Sequence, residues 1–325
     1  MNLTPLLVAE ILLFPGLTFF VFMAFILEWL ERKTAARVQG RRGPVVAGPF
    51  GIVQPVADFF KLSMKEEIVP EESDKFIMRW GPPLYFAAPA AGLVFVPVIA
   101  LSALIQNQFD LFFMFFILSF TTLMASLLGY ASAGRYSTVA VGRLVLQYSS
   151  YEIPMLLSMI VPAVLSGKLS LSGIVAAQSG HWFVLFAPVG FAVFIIAALA
   201  ELEKPPFDIP SASTEIVGGW MTEFSGNTLA YVKLTKNLSY VFLSALSATL
   251  FLGGPQGPIF VSGAMAAVVL HTFYFTVKLL FVAFLIFAIR TALARVKIDQ
   301  ATRLFWTILT PLALVQLGVA VILGW

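Results

Sequence analysis

Carboxylates are the groups in this sequence best placed to do chemistry. Glu201, Glu203, Asp208, Glu215 and Glu223 fall within 23 residues. Pro205 and Pro206, with the Phe207–Asp208 turn, make their segment a rigid acidic loop. As an open surface the loop would simply be solvated. Partly buried by a partner, its carboxylates would titrate near neutral pH and could pass protons. Glu152 follows Ser150 and Tyr151 at the inner edge of an apolar stretch. An acid there is costly unless paired or hydrated, so it is a functional candidate, with Arg143 or Arg135 as possible ion-pair partners. Lys278 lies in the middle of another apolar stretch. It reads either as a buried ion pair or as a relay point for protons or sodium ions.

Metal chemistry is poorly served. The chain has no Cys, which excludes disulfides, thiolate zinc sites and cysteine-ligated iron–sulfur clusters within it. Its two histidines, His181 and His271, are too far apart in sequence to suggest a haem or multi-histidine site.

The elements that must position these groups are apolar helices. Apolar residues make up 59 % of the chain and charged residues 11 %. A core of 325 residues cannot hide that much apolar surface from water, so lipid must face part of it. Eight segments are long enough to span: roughly 5–28, 80–105, 111–133, 147–166, 182–201, 238–254, 265–289 and 304–324. The first lacks a signal-peptide cleavage pattern and reads as a retained helix. The expected fold is an all-α polytopic membrane protein, a single integral membrane domain over 1–325, with N- and C-termini outside.

Charge sets the orientation. Loops at about 29–79, 134–146, 202–237 and 290–303 hold 18 of the 20 Lys and Arg, which places them on the cytoplasmic side of the cell membrane. Fifteen of the 17 acids lie there too, or at the inner helix ends. That fits a docking surface for soluble subunits, although both signs also gather wherever polar loops are long. In the first loop, Val53, Val56, Phe60 and Met64 recur at near-helical spacing with Asp58, Lys61 and Lys65 between them. This predicts a short amphipathic helix at the membrane surface between the first two spans. The basic run Arg32–Arg42 alone would suit lipid headgroups, but the acidic stretch Glu66–Asp74 would not.

The loops carry motifs in order. The first has Arg37-Val38-Gln39, Arg41-Arg42-Gly43-Pro44, Gln54-Pro55-Val56-Ala57-Asp58, Lys61-Leu62 and Lys65-Glu66. The second leads to Arg143, Gln147 and Ser150-Tyr151-Glu152-Ile153-Pro154. The third reads Ala200-Glu201 through Lys204-Pro205-Pro206-Phe207-Asp208 to Glu215 and Glu223-Phe224-Ser225-Gly226. The fourth has Arg290, Arg295, Asp299-Gln300 and Arg303, then Trp306 and Pro311. Together these resemble the membrane subunit at the heel of respiratory complex I, where the peripheral arm meets the membrane arm. Homologous subunits occur in membrane-bound nickel–iron hydrogenases and related energy-converting complexes.

The resemblance implies a chain with no catalytic residue, cofactor or metal of its own. Glu152, Glu201, Asp208, Glu215, Glu223 and Lys278 would form a coupling or proton path. Arg37, Gln39, Arg41, Arg42, Gln54, Asp58, Lys61, Lys65, Glu66, Arg143, Lys204, Arg295, Asp299 and Arg303 would dock the peripheral arm. Its partners would be membrane lipid, cytoplasmic iron–sulfur and catalytic subunits, and other membrane-arm subunits including antiporter-like ones, with no nucleic acid. Ser211 and Ser213 stand where the quinone-reducing enzymes carry Glu, Lys204 replaces Arg and Phe224 replaces Tyr. These departures favour the archaeal membrane-bound hydrogenase and its sulfur-reducing relative, whose partner subunits carry iron–sulfur clusters and in the hydrogenase a nickel–iron centre. The alternatives are the quinone-site subunit of a donor:quinone oxidoreductase and, from another class, a stand-alone secondary transporter.

Overall fold

The computed structural model describes residues 10–258 and 263–323. The start of the first predicted segment, at residue 5, and the placement of the two termini lie outside the described residues. Among the described residues all regular structure is helical. The longer α-helices are α1 (Leu17–Val38), α2 (Gln54–Ser63), α3 (Lys75–Leu93), α4 (Asp110–Ala131), α5 (Arg135–Ser166), α6 (Leu171–Ala177), α7 (Pro188–Glu201), α8 (Gly226–Phe251), α9 (Ala264–Ala292), α10 (Ile298–Leu304) and α11 (Thr310–Leu323), and Ser213–Ile216 forms a single turn. A π-helical turn, Phe305–Leu309, joins α10 to α11.

A helix occupies each of the eight predicted apolar segments. Five spans are long and apolar enough to cross a membrane: Glu10–Val38, Asp110–Ala131, Arg135–Ser166, Met265–Ala292 and Ile298–Ile322. The other three sit deeper or are interrupted. α7 has 14 residues, about 21 Å, which falls short of a hydrocarbon core of about 30 Å. α3 contains Pro82, Pro83 and Pro89 and ends at Leu93, so residues 94–105 do not continue it. α8 is the central helix, with every residue from Leu238 to Phe251 buried. Small residues make this close approach possible: Ala197, Ala198, Ala200, Ala245 and Ala248 all lie in the packed interior. The outward faces of α4 and α9 instead expose Phe112, Phe116, Phe273, Phe281 and Phe284, as a lipid-facing surface requires.

Several boundaries differ from those expected of the sequence: α1 runs on to Val38, α7 begins only at Pro188, and two helices reach far into predicted loops. The expected loop 134–146 is helical, because α5 starts at Arg135 and runs 32 residues, about 48 Å, well beyond a bilayer core. Nothing between Arg135 and Tyr151 breaks a helix; only its polarity suggests a loop. The expected loop 202–237 likewise gives way to α8 at Gly226. The amphipathic helix is present as α2, its helix start carrying Pro55 in the first turn.

Candidate functional site

The acidic loop is folded into the protein, not draped over it. Phe207, Ile209, Ala212, Trp220 and Phe224 are all buried, and the Phe207 ring packs 5.1 Å from that of Phe305. From α5, Gln147 Nε2 donates to the carbonyls of Ala200 (2.8 Å) and Phe207 (2.9 Å), tying the two ends of the turn together. Gly219 has φ +64°, and a Cβ there would stand 2.1 Å from the Pro210 carbonyl oxygen, so only glycine closes this turn. At the loop's end Gly226 (φ +55°) lets the Lys65 and Glu66 carbonyls approach closely. Ser225 Oγ accepts from Ile68 N (2.8 Å) and donates to Ile68 O (3.0 Å), so the first and third polar segments are joined.

Glu201 ends α7 and faces two hydroxyls. Tyr151 donates to Glu201 Oε2 over 2.5 Å, and Thr122 lies 3.1 Å from both carboxylate oxygens. One residue further along α5, Glu152 accepts from Ser119 (3.1 Å) and from Tyr148. The rings of Tyr148 and Tyr151 meet edge to face, 6.0 Å apart. Neither expected partner pairs with Glu152: Arg143 reaches Glu215 instead, and Arg135 is exposed with no ion pair among the described residues.

Glu203, which in sequence is one more loop acid, is buried and fully engaged. Lys236 Nζ lies 3.0 Å from it, Trp220 Nε1 donates to it over 3.1 Å, and Lys236 sits 5.0 Å over the Trp220 ring. A cavity of ≈ 20 Å³ separates Glu203 from Glu201 and is lined also by Tyr85, Thr122 and Ser239. That is room for about one water between the two carboxylates.

A second network starts on α1. Glu31 is buried and receives both Lys204 Nζ (2.7 Å) and Arg290. Glu28 pairs with Arg32 and accepts from Asn237 Nδ2 (2.6 Å). Arg32 reaches Asp58 on α2 (2.6 Å), which also accepts from Gln54 (2.9 Å). Burial would raise Asp58, but the hydrogen bonds from Arg32 and Gln54 outweigh it and hold the carboxyl below its ordinary range. Burial pushes Lys204 down to about 8, against the pull of Glu28 and Glu203. Cavities of ≈ 230 and ≈ 470 Å³ flank this network and share Glu28, Arg32 and Asn237.

The third cluster stands at the loop surface. Arg295 Nε lies 3.0 Å from Asp208 Oδ1 and its Nη1 3.5 Å from Glu215, while Arg143 reaches Glu215 over 2.5 Å. Burial pushes the Asp208 carboxyl up, and Arg295 offsets this only in part. The hydrogen bond from Arg143, with the charge of Arg295, holds Glu215 down.

The remaining predicted residues divide by exposure. Gln39 is exposed, and Arg37, Arg41, Arg42, Lys61, Lys65, Glu66, Asp299 and Arg303 are exposed and make no ion pair among the described residues, which leaves their charges available. Glu223 is half-buried beside Gly134. Lys278 stands apart from all three clusters. Its ammonium donates to the Gln256 carbonyl (2.7 Å) and lies 4.8 Å over the Trp182 ring, with no carboxylate partner among the described residues.

Glu28, Glu31, Arg32, Lys236 and Tyr148 lie outside the sequence motifs, and Tyr151 and Arg290 lie within them without an assigned role. One signal is available: Tyr148 and Glu152 stand four residues apart on one helix, the spacing at which side chains meet.

Apolar helices that bury acids against hydroxyls and cations, with large aromatic side chains on their outward faces, define a polytopic α-helical membrane protein. The family model for NADH dehydrogenase matches residues 11–321, and the chain belongs to that family. It is 38 % identical over 324 residues to the second H-type subunit of NADH-quinone oxidoreductase from Geobacter sulfurreducens, covering 95 % of this chain and 94 % of that one. It is 36 % identical over 300 residues to the H-type subunit of NADH-quinone oxidoreductase from Dehalococcoides mccartyi, covering 92 % and 82 %. The corresponding protein of Thermomicrobium roseum is 36 % identical over 311 residues, covering 90 % and 89 %. The chain is thus a membrane subunit of a complex I-like oxidoreductase.

Proposed function

We propose that this chain anchors the redox-active peripheral arm of an ion-translocating oxidoreductase and couples electron transfer there to proton or sodium movement. The observation that carries this reading is a succession of ion pairs and carboxylate–hydroxyl hydrogen bonds. It runs from Asp58–Arg32–Glu28 through Glu31–Lys204 and Glu203–Lys236 to Glu201–Tyr151 and Tyr148–Glu152. A charge change at the α2 end alters the balance at each successive pair, and the last pair lies well inside α5. The exposed Arg37, Arg41, Arg42, Lys61 and Lys65 form the docking surface on the cytoplasmic side of the cell membrane. Iron–sulfur clusters belong to the partner subunits. Antiporter-like membrane subunits receive the coupling signal.

For the acceptor we favour the hydrogenase or sulfur-reductase branch, on Ser211 and Ser213. The Asp208–Arg295–Glu215–Arg143 cluster is complete without carboxylates at either position. The second reading, a quinone site, is favoured by the names of the relatives and by the cavity between α1, α2 and α8. Phe25, Phe59 and Leu62 line that cavity beside Arg32 and Asp58, which would suit a lipophilic acceptor with a polar head.

Purification from the native membrane tests both levels. Recovery with iron–sulfur subunits supports the anchoring role, whereas a lone chain that moves a solute in liposomes contradicts it. Within the intact complex, hydrogen or sulfide production without quinone reduction supports the first branch, and quinone reduction supports the second.

A further inference from the structure

Glu67 and Arg79 line one cavity of ≈ 300 Å³ at the flank of α3, together with Trp80, Pro83, Asn227 and Tyr231. Both charged side chains are exposed, and neither forms an ion pair among the described residues. They face the same space without reaching each other within 4.0 Å. An acid and a base held apart across a cavity call for a ligand that carries both signs.

The surroundings say what kind. Arg79 marks a charge boundary, since no charged residue follows it until Asp110. Beyond it the exposed line of α3 is Trp80, Leu84, Ala87 and Ala91, one face of a helix. A basic residue beside Trp at the top of such a stripe is the pattern of a membrane interface. Pro82 and Pro83 add acceptors. Neither has an N–H, so the carbonyls of Met78 and Arg79 lose their intrahelical donors, and of these two residues Arg79 lines the cavity.

The geometry points to a bound phospholipid whose headgroup carries a phosphate and a primary ammonium. Its phosphate pairs with Arg79, its ammonium with Glu67 and the freed Arg79 carbonyl, and its acyl chains lie along Trp80, Leu84, Ala87 and Ala91. A purely anionic headgroup could pair its phosphate with Arg79 but would leave Glu67 facing it with no cation of its own. A trimethylated ammonium has no N–H to donate. This inference is independent of the electron acceptor.

The complex, purified from its native membrane and washed with detergent, is placed in nanodiscs of phosphatidylethanolamine, phosphatidylcholine or phosphatidylglycerol. Native mass spectrometry then counts the lipid that remains on further washing. The parent complex should hold phosphatidylethanolamine in preference to both others. Glu67→Gln and Arg79→Gln should each bind it at least about tenfold more weakly, the effect of one lost charge-assisted hydrogen bond. Glu67→Asp, which keeps the charge and controls for folding, should still retain it. Equal retention of the three lipids, unchanged binding in the two Gln variants, or loss of a membrane subunit with the lipid count intact would each overturn the proposal.

Discussion

Tyr151 donates its phenolic hydrogen to Glu201 across 2.5 Å, and Thr122 holds the same carboxylate at 3.1 Å. The two donors come from α5 and α4, so the position of the Glu201 carboxylate depends on how three helices pack. Any shift of α7 against α5 changes what this acid can bind.

Removing the phenol tests that dependence. Tyr151→Phe should lower coupled ion transfer about tenfold, as loss of a hydrogen bond to a charged group predicts. The readout is ion uptake by proteoliposomes carrying the whole complex. Thr122→Val should have a smaller effect, because Tyr151 remains. Full uptake by Tyr151→Phe would show that the contact is only structural.

Glu31 carries two cations, Lys204 and Arg290. Glu31→Gln leaves both facing a neutral amide and should destabilise the chain by about 3–5 kcal/mol. Thermal unfolding of the solubilised complex measures this. Adding Lys204→Met removes one stranded cation and should recover part of the loss. A double variant no more stable than Glu31→Gln would contradict the pairing.

The surface cluster predicts a pH signature for arm attachment. Glu215 is held below its ordinary value by Arg143 and Arg295, so its contribution is present above the ordinary carboxylate range. It is lost as pH falls through the lowered value. Asp208 is raised by burial, so protonating it relieves a cost as pH falls and opposes that trend. Arg143→Gln should therefore weaken arm retention most near neutral pH, with the difference from the parent vanishing in acid. Retention of the arm on sedimentation across a pH series gives the comparison. A difference that grows in acid would reverse the assignment.

The two serines of the acidic loop offer a further test. Ser211→Glu combined with Ser213→Glu should not by itself confer quinone reduction, because an acceptor also needs a cavity shared with partner chains. A quinone reductase assay on the assembled complex measures it. Activity gained by the double variant would mean that these positions alone select the acceptor.

Much of this site is legible from residue types and local spacing. Apolar length locates all eight helical segments, and the Val53–Phe60 pattern locates α2. The acids of the third loop stand out because prolines and Phe207 fix their path. Partners across the fold are not legible. Glu31 meets Lys204 over 173 positions, and nothing local to either residue announces the other. Glu28, Arg32 and Arg290 look like ordinary charges at the end of a span until packing brings α1 and α9 together. The helical start of α5 escapes the sequence for a related reason. Polar residues mark a loop only where water or a breaker stops the helix, and here neither the sequence nor the packing does so before Ser166.

The proposed coupling role rests most directly on Glu201, which joins the loop acids to α4 and α5. The decisive measurement is the number of ions moved per electron pair by the complete complex, reconstituted in liposomes with Glu201→Gln. The account predicts that electron transfer in the peripheral arm persists while ion movement falls to near zero. An unchanged ion-to-electron ratio with residue 201 permanently neutral would contradict it.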